Sequence, residues 1–410
     1  MFIFSILNNK KLVFMAFMSL FFFINLSIYF SKYLDLVYEE VYKDKVQVLN
    51  IYEKQHYDVL KLKSDNYEFF TSIPKENSIN KLDYITIIFI TKHITFLDYL
   101  KGFYAKNISY EKLNISTFRQ NLSNKITDMH YNSNISEIFN ALFLAIPTNS
   151  NLREVFTNYS ISHLIALSGF HIAVLSFIVY IISYYPYSLI HRYYFPYRNK
   201  KADIVLFTIT LIFLYLIFTG FIPSLLRAFV MLVIGYVLLR NNIKIISFQT
   251  LGITLITVIT LFPNYLFSIG FWFSISAVFY IFLYLKYFVD VNKYFQLIFF
   301  NFWIFFIFNP IVHYFFYQTT YEQLFSPFIS IAFTVFYPFE ILIHILGFSS
   351  ILDGYLISFI DYKINVFDVI TPSWFFILFI LVSLFSTRSK KAFYLLNLLT
   401  VFFNIYLYYT

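Results

Sequence analysis

Two short stretches hold the residues that could do chemistry. HLIALSGFH, His163 to His171, places two imidazoles, a hydroxyl at Ser168 and a glycine at Gly169 within nine residues, and GFIPSLLRA, Gly220 to Ala228, follows some fifty residues later with Pro223, Ser224 and Arg227. Both lie inside long apolar runs, where ionisable side chains are expensive to keep without a use. On a continuous helix His163 and His171 stand about 80° apart around the axis and Ser168 lies one turn before His171, so one face carries three polar groups. Gly169 either lets another backbone approach closely or breaks the helix, and a break at membrane depth is tolerated only when buried in protein or lining a cavity. Gly220 ends one apolar run and Pro223 opens the next at a position where its missing N–H is harmless. Arg227 then falls in the first helical turn, the end whose dipole disfavours a cation.

Each stretch also has a bland reading. Ser168 and Gly169 make a small-residue packing patch, and the two histidines sit at the interface beside Tyr159 and Ser160. Arg227 snorkels to the outer headgroups; in the sharper alternative its planar fork meets a phosphate of substrate. Ser168 with His171 also suggests a nucleophile and base, although both stand on adjacent turns of one segment and no oxyanion donors are identifiable. Two histidines without a nearby carboxylate are too few ligands for a metal, so neither metal nor cofactor is expected.

The elements that must position these residues are membrane helices. Hydrophobic residues make up 59% of 410 positions and charged residues 13%, against about 25% charged in soluble domains, and the mean hydropathy is +0.68. That excludes a soluble enzyme and predicts a mainly α polytopic membrane protein. The 57 Phe and 37 Tyr, against 3 Trp, with Asn and Lys crowding the polar segments, fit the codon bias of an AT-rich genome better than an aromatic ligand channel. With no cysteine there is neither a disulfide framework nor a thiolate metal site. The net charge of +8 has its simplest cause in basic inside loops. No GxxxxGK followed by Ser or Thr is present, so any motor must be a separate protein.

About ten transmembrane segments are expected. Residues 1–33 form an anchor around Leu12 to Phe30, with Lys10 and Lys11 keeping the N-terminus in the cytoplasm and 31–150 outside it. Residues 34–105 turn polar and show period-two segments at Val46 to Tyr52, Asp58 to Lys63, Tyr67 to Thr71 and Tyr84 to Thr91, which predict a small extracytoplasmic β-barrel of OB-like layout. Its Lys43, Lys45, Lys54, Lys61 and Lys63 suit either nucleic acid or ordinary solubility. Residues 106–135 read as a linker with surface helices, and 136–410 as the polytopic body, in which Ile138 to Ile146 is too short to span. Nine further apolar runs follow: Ile161 to Tyr184, Ile204 to Thr219, Ser224 to Leu239, Ile245 to Phe262, Leu266 to Leu285, Tyr294 to Phe308, Pro327 to Leu346, Trp374 to Phe385 and Phe393 to Tyr408. His191 to Lys201, Arg240 to Lys244 and Lys286 to Lys293 fall on the side of Lys10, and Arg388 to Lys391 joins them if Ile351 to Val369 is re-entrant or amphipathic. There is no internal repeat to support an inverted-repeat transporter.

The two stretches, followed by GFWFSISA (Gly270 to Ala277) and QLFSPFISIAFTVFYP (Gln323 to Pro338), resemble in order and spacing the motifs of the ComEC family of competence proteins, over about Ile138 to Pro338. The anchor and small barrel are similar in layout to that family's extracytoplasmic OB-type domain. The resemblance implies an inner-membrane channel, not an enzyme, that admits one strand of transforming DNA to the cytoplasm. Its implied partners are single-stranded DNA, membrane lipids, a periplasmic DNA-binding competence protein and a separate cytoplasmic ATPase or helicase. His163, Ser168, Gly169, His171, Pro223, Ser224 and Arg227 match the family's motif. Phe170 departs from the usual Leu, Trp272 from the usual Gln, and Phe333 stands where the family tends to carry Asn. The HxHxDH cluster of the metallo-β-lactamase-like domain found at the C-terminus of many members is absent, so no nuclease is expected in this chain. Two rivals stay open: an intramembrane serine hydrolase using Ser168 and His171, and a transporter of a small anion or lipid precursor with Arg227 as its anion site.

Overall fold

The first helix outruns its apolar sequence. α1 (Phe2–Val37) has 36 residues, about 54 Å at 1.5 Å per residue, although apolarity ends at Phe30. Its last turns stay helical because they form a floor under the N-terminal sheet: Leu36 is buried in the core of that sheet, and Tyr29, Tyr33 and Val37 pack against the same core. The anchor therefore does not stop at residue 33. The computed structural model describes residues 2–75, 79–240, 247–288 and 292–409. Parts of two basic loops named above, 241–246 and 289–291, lie outside the described residues.

The sheet contains β1 (Val41–Glu53), β2 (Tyr57–Lys63), β3 (Glu68–Pro74), β4 (Tyr84–Ile90), β5 (Phe103–Tyr104) and β6 (Asn107–Leu113), with α2 (Phe96–Lys101) between β4 and β5. Period-two alternation turns Val46, Val48, Leu60, Leu62, Phe69, Ile73, Ile85, Ile87 and Phe89 to one face. There Phe69 stacks on Phe103 with centroids 5.4 Å apart. The strand order is β5-β3-β2-β1-β4-β6, antiparallel except β3 with β5. The expected barrel is not closed. Among the described residues no ladder joins the edge strands β5 and β6; from β6 the Asn107 Nδ2 donates to the Ser72 carbonyl of β3 at 2.6 Å. β6 also corrects the expected boundary at 105, because it extends the sheet into residues that read as linker.

The remainder is helical: α3 (Phe118–Asp128), α4 (Ser133–Leu144), α5 (Ser150–Asn158), α6 (Ser162–Ile165), α7 (Gly169–Tyr194), α8 (Lys200–Thr219), α9 (Pro223–Arg240), α10 (Phe248–Leu261), α11 (Ile269–Tyr287), α12 (Lys293–Phe315), α13 (Ser326–Leu346), α14 (Asp353–Ile360), α15 (Ser373–Ser386) and α16 (Lys390–Tyr409). Among the described residues seven helices are long and apolar enough to cross a membrane, where ten segments were expected. The chain is a multi-pass membrane protein. The three that fall short are Pro223–Leu238, Phe248–Leu261 and Ser373–Ser386. Local signals cut the last two: the Ser247 hydroxyl accepts from the Thr250 amide to start α10 and Pro263 follows its end, while Pro372 precedes α15. At 14 residues each they are about 21 Å long, below the roughly 30 Å hydrocarbon thickness. α14, at 8 residues, is likewise too short to span.

Cations pin the sheet to the helical body. Lys63 Nζ donates to the Gly220 carbonyl at the end of α8 (3.0 Å), and Lys81 Nζ to the Pro147 carbonyl (2.8 Å). Arg119 Nη2 caps α4 through the carbonyls of Leu144 (2.8 Å) and Ala145 (3.2 Å). Burial holds Lys63 below the usual lysine range, opposed by Glu68 and reinforced by Arg119. α1 is fixed to the body by Asn25, whose Nδ2 donates to the Thr260 and Leu261 carbonyls.

A second pairing organises the C-terminal half. β7 (Gln318–Thr319) and β8 (Phe367–Asp368) pair antiparallel, so the chain leaves at 319 and returns beside itself at 367. α13 and α14 lie within that excursion. α13 begins where the Ser326 hydroxyl donates to the Ser160 carbonyl (3.1 Å) and ends with His344 beside His130, so it runs along the α4–α5 layer.

Candidate functional site

The HLIALSGFH stretch is not one helix. α6 stops at Ile165, Ala166 and Ser168 are extended, and α7 begins at Gly169. The break frees backbone groups that side chains from the same motifs satisfy. Ser168 is the N-cap of α7; its amide donates to His171 Nδ1 at 3.1 Å, and its Oγ lies 3.1 Å from the same nitrogen. From the start of α9, the Ser224 hydroxyl donates to the Leu167 carbonyl at 2.6 Å. Pro223 is the first residue of α9, behind Gly220, which caps α8 in a left-handed conformation at φ 84°.

Gly169 is where the two stretches touch. A Cβ there would lie 3.2 Å from Arg227 Nη2 and 3.4 Å from the Ala228 Cβ, so the absent side chain admits α9 and brings the guanidinium over the helix break. Arg227 is only 5% exposed. Its Nε donates to Ser274 Oγ at 2.7 Å and its Nη1 to Met231 Sδ at 3.3 Å. Neither partner is charged, and among the described residues no ion pair reaches this arginine. Removing an ion from water costs several kcal/mol even after relaxation, and a hydroxyl and a thioether offset little of that.

His171 is fully buried and its Nε2 has no hydrogen-bond partner. With Nδ1 accepting from Ser168, the neutral ring carries its proton on Nε2. Around it stand Tyr337, edge-on at 4.5 Å, and Phe333 at 5.8 Å, both from α13. Of the seven residues expected at the site, the structure brings together Ser168, Gly169, His171, Ser224 and Arg227, with Pro223 opening α9. His163 does not join them. It lies exposed on α6, because the break removes the continuous face on which it and His171 were expected.

The geometry narrows the chemistry. The one lone pair of His171 Nδ1 already accepts from a backbone amide, and among the described residues no carboxylate orients its other nitrogen, so the arrangement is a helix cap without a described third member of a nucleophile–base–orienter set. Among the described residues no group of three or more His, Cys, Asp or Glu could hold a metal. Arg227 itself is a desolvated donor fork, a planar group whose geometry matches a phosphate or carboxylate.

Sequence reasoning passed over Ser274 and Tyr337, although both stand inside stretches it had singled out. Ser274 is the serine of GFWFSISA and ties α11 to Arg227. The fourth stretch docks α13: Gln323 Nε2 donates to the Gln318 carbonyl (3.0 Å), Ser326 holds Ser160, and Tyr337 covers His171. All four motifs thus meet around one helix break.

No curated protein and no solved structure matches the chain. A family model described as Competence protein matches residues 148–408, well over half of the chain and all four motifs, and the chain belongs to the competence protein family.

Proposed function

We propose that this chain forms the inner-membrane conduit through which one strand of transforming DNA enters the cytoplasm. Membership of the competence family supports a role in DNA uptake. The observation that carries the finer reading is Arg227: a buried guanidinium with no counter-ion among the described residues, held over a helix break among apolar helices. A polyanion cannot cross hydrocarbon and needs a protein-lined path with a cation near its entrance. Ser168, Gly169, His171, Pro223 and Ser224 build the break that presents the arginine. His163 stands at its approach. In this reading residues 31–150 face outward and receive DNA from a periplasmic DNA-binding protein, while a separate cytoplasmic ATPase or helicase draws the strand inward.

The test is a clean deletion in a competent host, scoring the location of fluorescent duplex DNA together with transformant yield. DNA that halts in the periplasm with transformation lost supports the conduit. Normal transformation with a growth or envelope defect would instead favour the transporter of a small anion or lipid precursor. In the complemented strain, Arg227→Lys is expected to be severe and Ser168→Ala mild; the reverse order would favour the hydrolase.

A further inference from the structure

The end of α13 carries a polar cluster that the site above does not use. His130, in the turn between α3 and α4, places Nδ1 3.0 Å from both carboxylate oxygens of Asp353, the first residue of α14. Its Nε2 lies 3.2 Å from Nε2 of His344. His344 directs Nδ1 back along α13, 2.8 Å from the Glu340 carbonyl oxygen and 3.3 Å from Glu340 Oε2. Glu340 is fully buried, and neither of its carboxylate oxygens has a hydrogen-bond partner. Phe139 of α4 stacks on His130 at 4.8 Å and lies 4.4 Å from His344, which keeps water out.

The proton count follows from the acceptors. Each imidazole faces oxygen acceptors with Nδ1, so each Nδ1 carries a hydrogen and each neutral ring would have a bare Nε2. Two bare nitrogens 3.2 Å apart oppose lone pair to lone pair, and two protonated ones would oppose hydrogen to hydrogen. One proton between them makes an ordinary N–H···N hydrogen bond. Without that proton the two lone pairs oppose each other in a pocket closed by Phe139.

We propose that His130 and His344 bind a single proton between their Nε2 atoms and that this proton latches the end of α13 to the α3–α4 turn. The proton comes from solvent and returns to it, and no other bond changes. Among the described contacts, the titratable groups facing the pair are Asp353 from α14 and Glu340 from α13. α4 contributes Phe139 and Phe143, and the turn before α14 contributes Ser349, whose hydroxyl donates to the Met129 carbonyl. α13 carries Pro338 in its interior, a point where a helix bends readily, immediately after the Tyr337 that covers His171. Releasing the latch therefore frees the cover of the helix break. The sign is fixed by the chemistry: the latch needs the shared proton and opens as pH rises past its release, while a second proton at low pH also parts the rings. This inference does not depend on what the conduit carries.

The chain has no cysteine, so labels on Tyr131→Cys and Ile345→Cys, both exposed positions beside the two histidines, report without background. In the full-length protein in phospholipid nanodiscs, the distance between nitroxides is measured by pulsed EPR from about pH 5 to 9, the range in which imidazoles titrate. The expected result is one short, narrow distance inside a pH window that broadens and lengthens as pH rises. His344→Gln and His130→Gln abolish the response. Asp353→Asn, which keeps both rings, moves the opening to lower pH because the proton loses a stabilising carboxylate. A pH-independent distance in the parent, or a response that persists in both glutamine variants, overturns the latch. Saturable zinc binding by the parent that is lost in His344→Gln would assign the pair to a metal ion and overturn it equally.

Discussion

The cations of the sheet and the cation of the body sit in opposite surroundings. On the sheet Lys61 lies 2.7 Å from Glu68, Lys112 lies 2.7 Å from Asp83, Lys45 rests 5.3 Å from the centre of the Tyr84 ring, and Lys63 holds a helix-end carbonyl. Of the five lysines that made a nucleic-acid surface conceivable, Lys61 and Lys63 are part-buried by these contacts, while Lys43, Lys45 and Lys54 remain exposed. In the body Arg227 is more deeply buried than any of them and, among the described residues, donates to a hydroxyl and a thioether alone. A satisfied cation is a matter of stability. A buried, uncompensated one persists because something else requires it.

Four substitutions sharpen or break that contrast. The largest effect is expected from Phe69→Ala in the sheet core, where the ring is fully buried against Phe89 and Phe103. It should lower sheet stability by about 3–5 kcal/mol, read as the denaturant midpoint for proteolysis of residues 41–113 in membranes, and should reduce uptake only through loss of folded protein. Next, Arg227→Lys should leave membrane level and proteolysis unchanged yet reduce transformants on the order of a hundredfold, the equivalent of about 2–3 kcal/mol for a lost charged fork. Wild-type yield with lysine would show that a point charge suffices and remove the reason for a guanidinium. Ser274→Ala takes away the acceptor of Arg227 Nε and should reduce transformants about tenfold, as expected for a hydrogen bond to a charged group. Last, Lys61→Met removes an ion pair in which both partners are part-exposed and should change stability by less than about 1 kcal/mol, with uptake unaltered. A strong uptake defect there would return nucleic-acid contact to the sheet.

The elements legible in the sequence are those set by periodicity, and the illegible ones are set by tertiary context. Strands β1 to β4 announce themselves by alternation, whereas β6 shows none: Ile108, Ser109, Glu111 and Lys112 are all exposed on an edge. α1 outlasts its apolar run because its final turns have a sheet to pack on. The run expected from Ile245 to Phe262 gives a shorter described helix, Phe248–Leu261, because Ser247 caps its start and Pro263 follows its end. At the site, Gly169 was legible as a possible break, and Arg227 as a cation in want of an anion. The break itself separated His163 from His171. Phe333, standing where the resemblance led us to expect Asn, packs edge-on to His171 and offers its Nε2 no acceptor, so the departure has a visible result. The His130–Asp353 contact joins residues 223 positions apart, beyond any local pattern.

The pairing of 318–319 with 367–368 has a mechanical meaning. A loop tied at its neck transmits little to the chain on either side, because its two ends stay one strand spacing apart whatever its far end does. Along the chain, movement of the segment between them is therefore not passed on to α12 and α15, although α13 still packs on α12 through Phe328 against Phe302 (5.0 Å), and further contacts reinforce the knot, with the Val369 amide on the Tyr317 carbonyl (2.9 Å) and the Thr371 amide on the His313 carbonyl (3.1 Å). If the latch proposed above opens, the flap over the broken helix moves with its neck held closed.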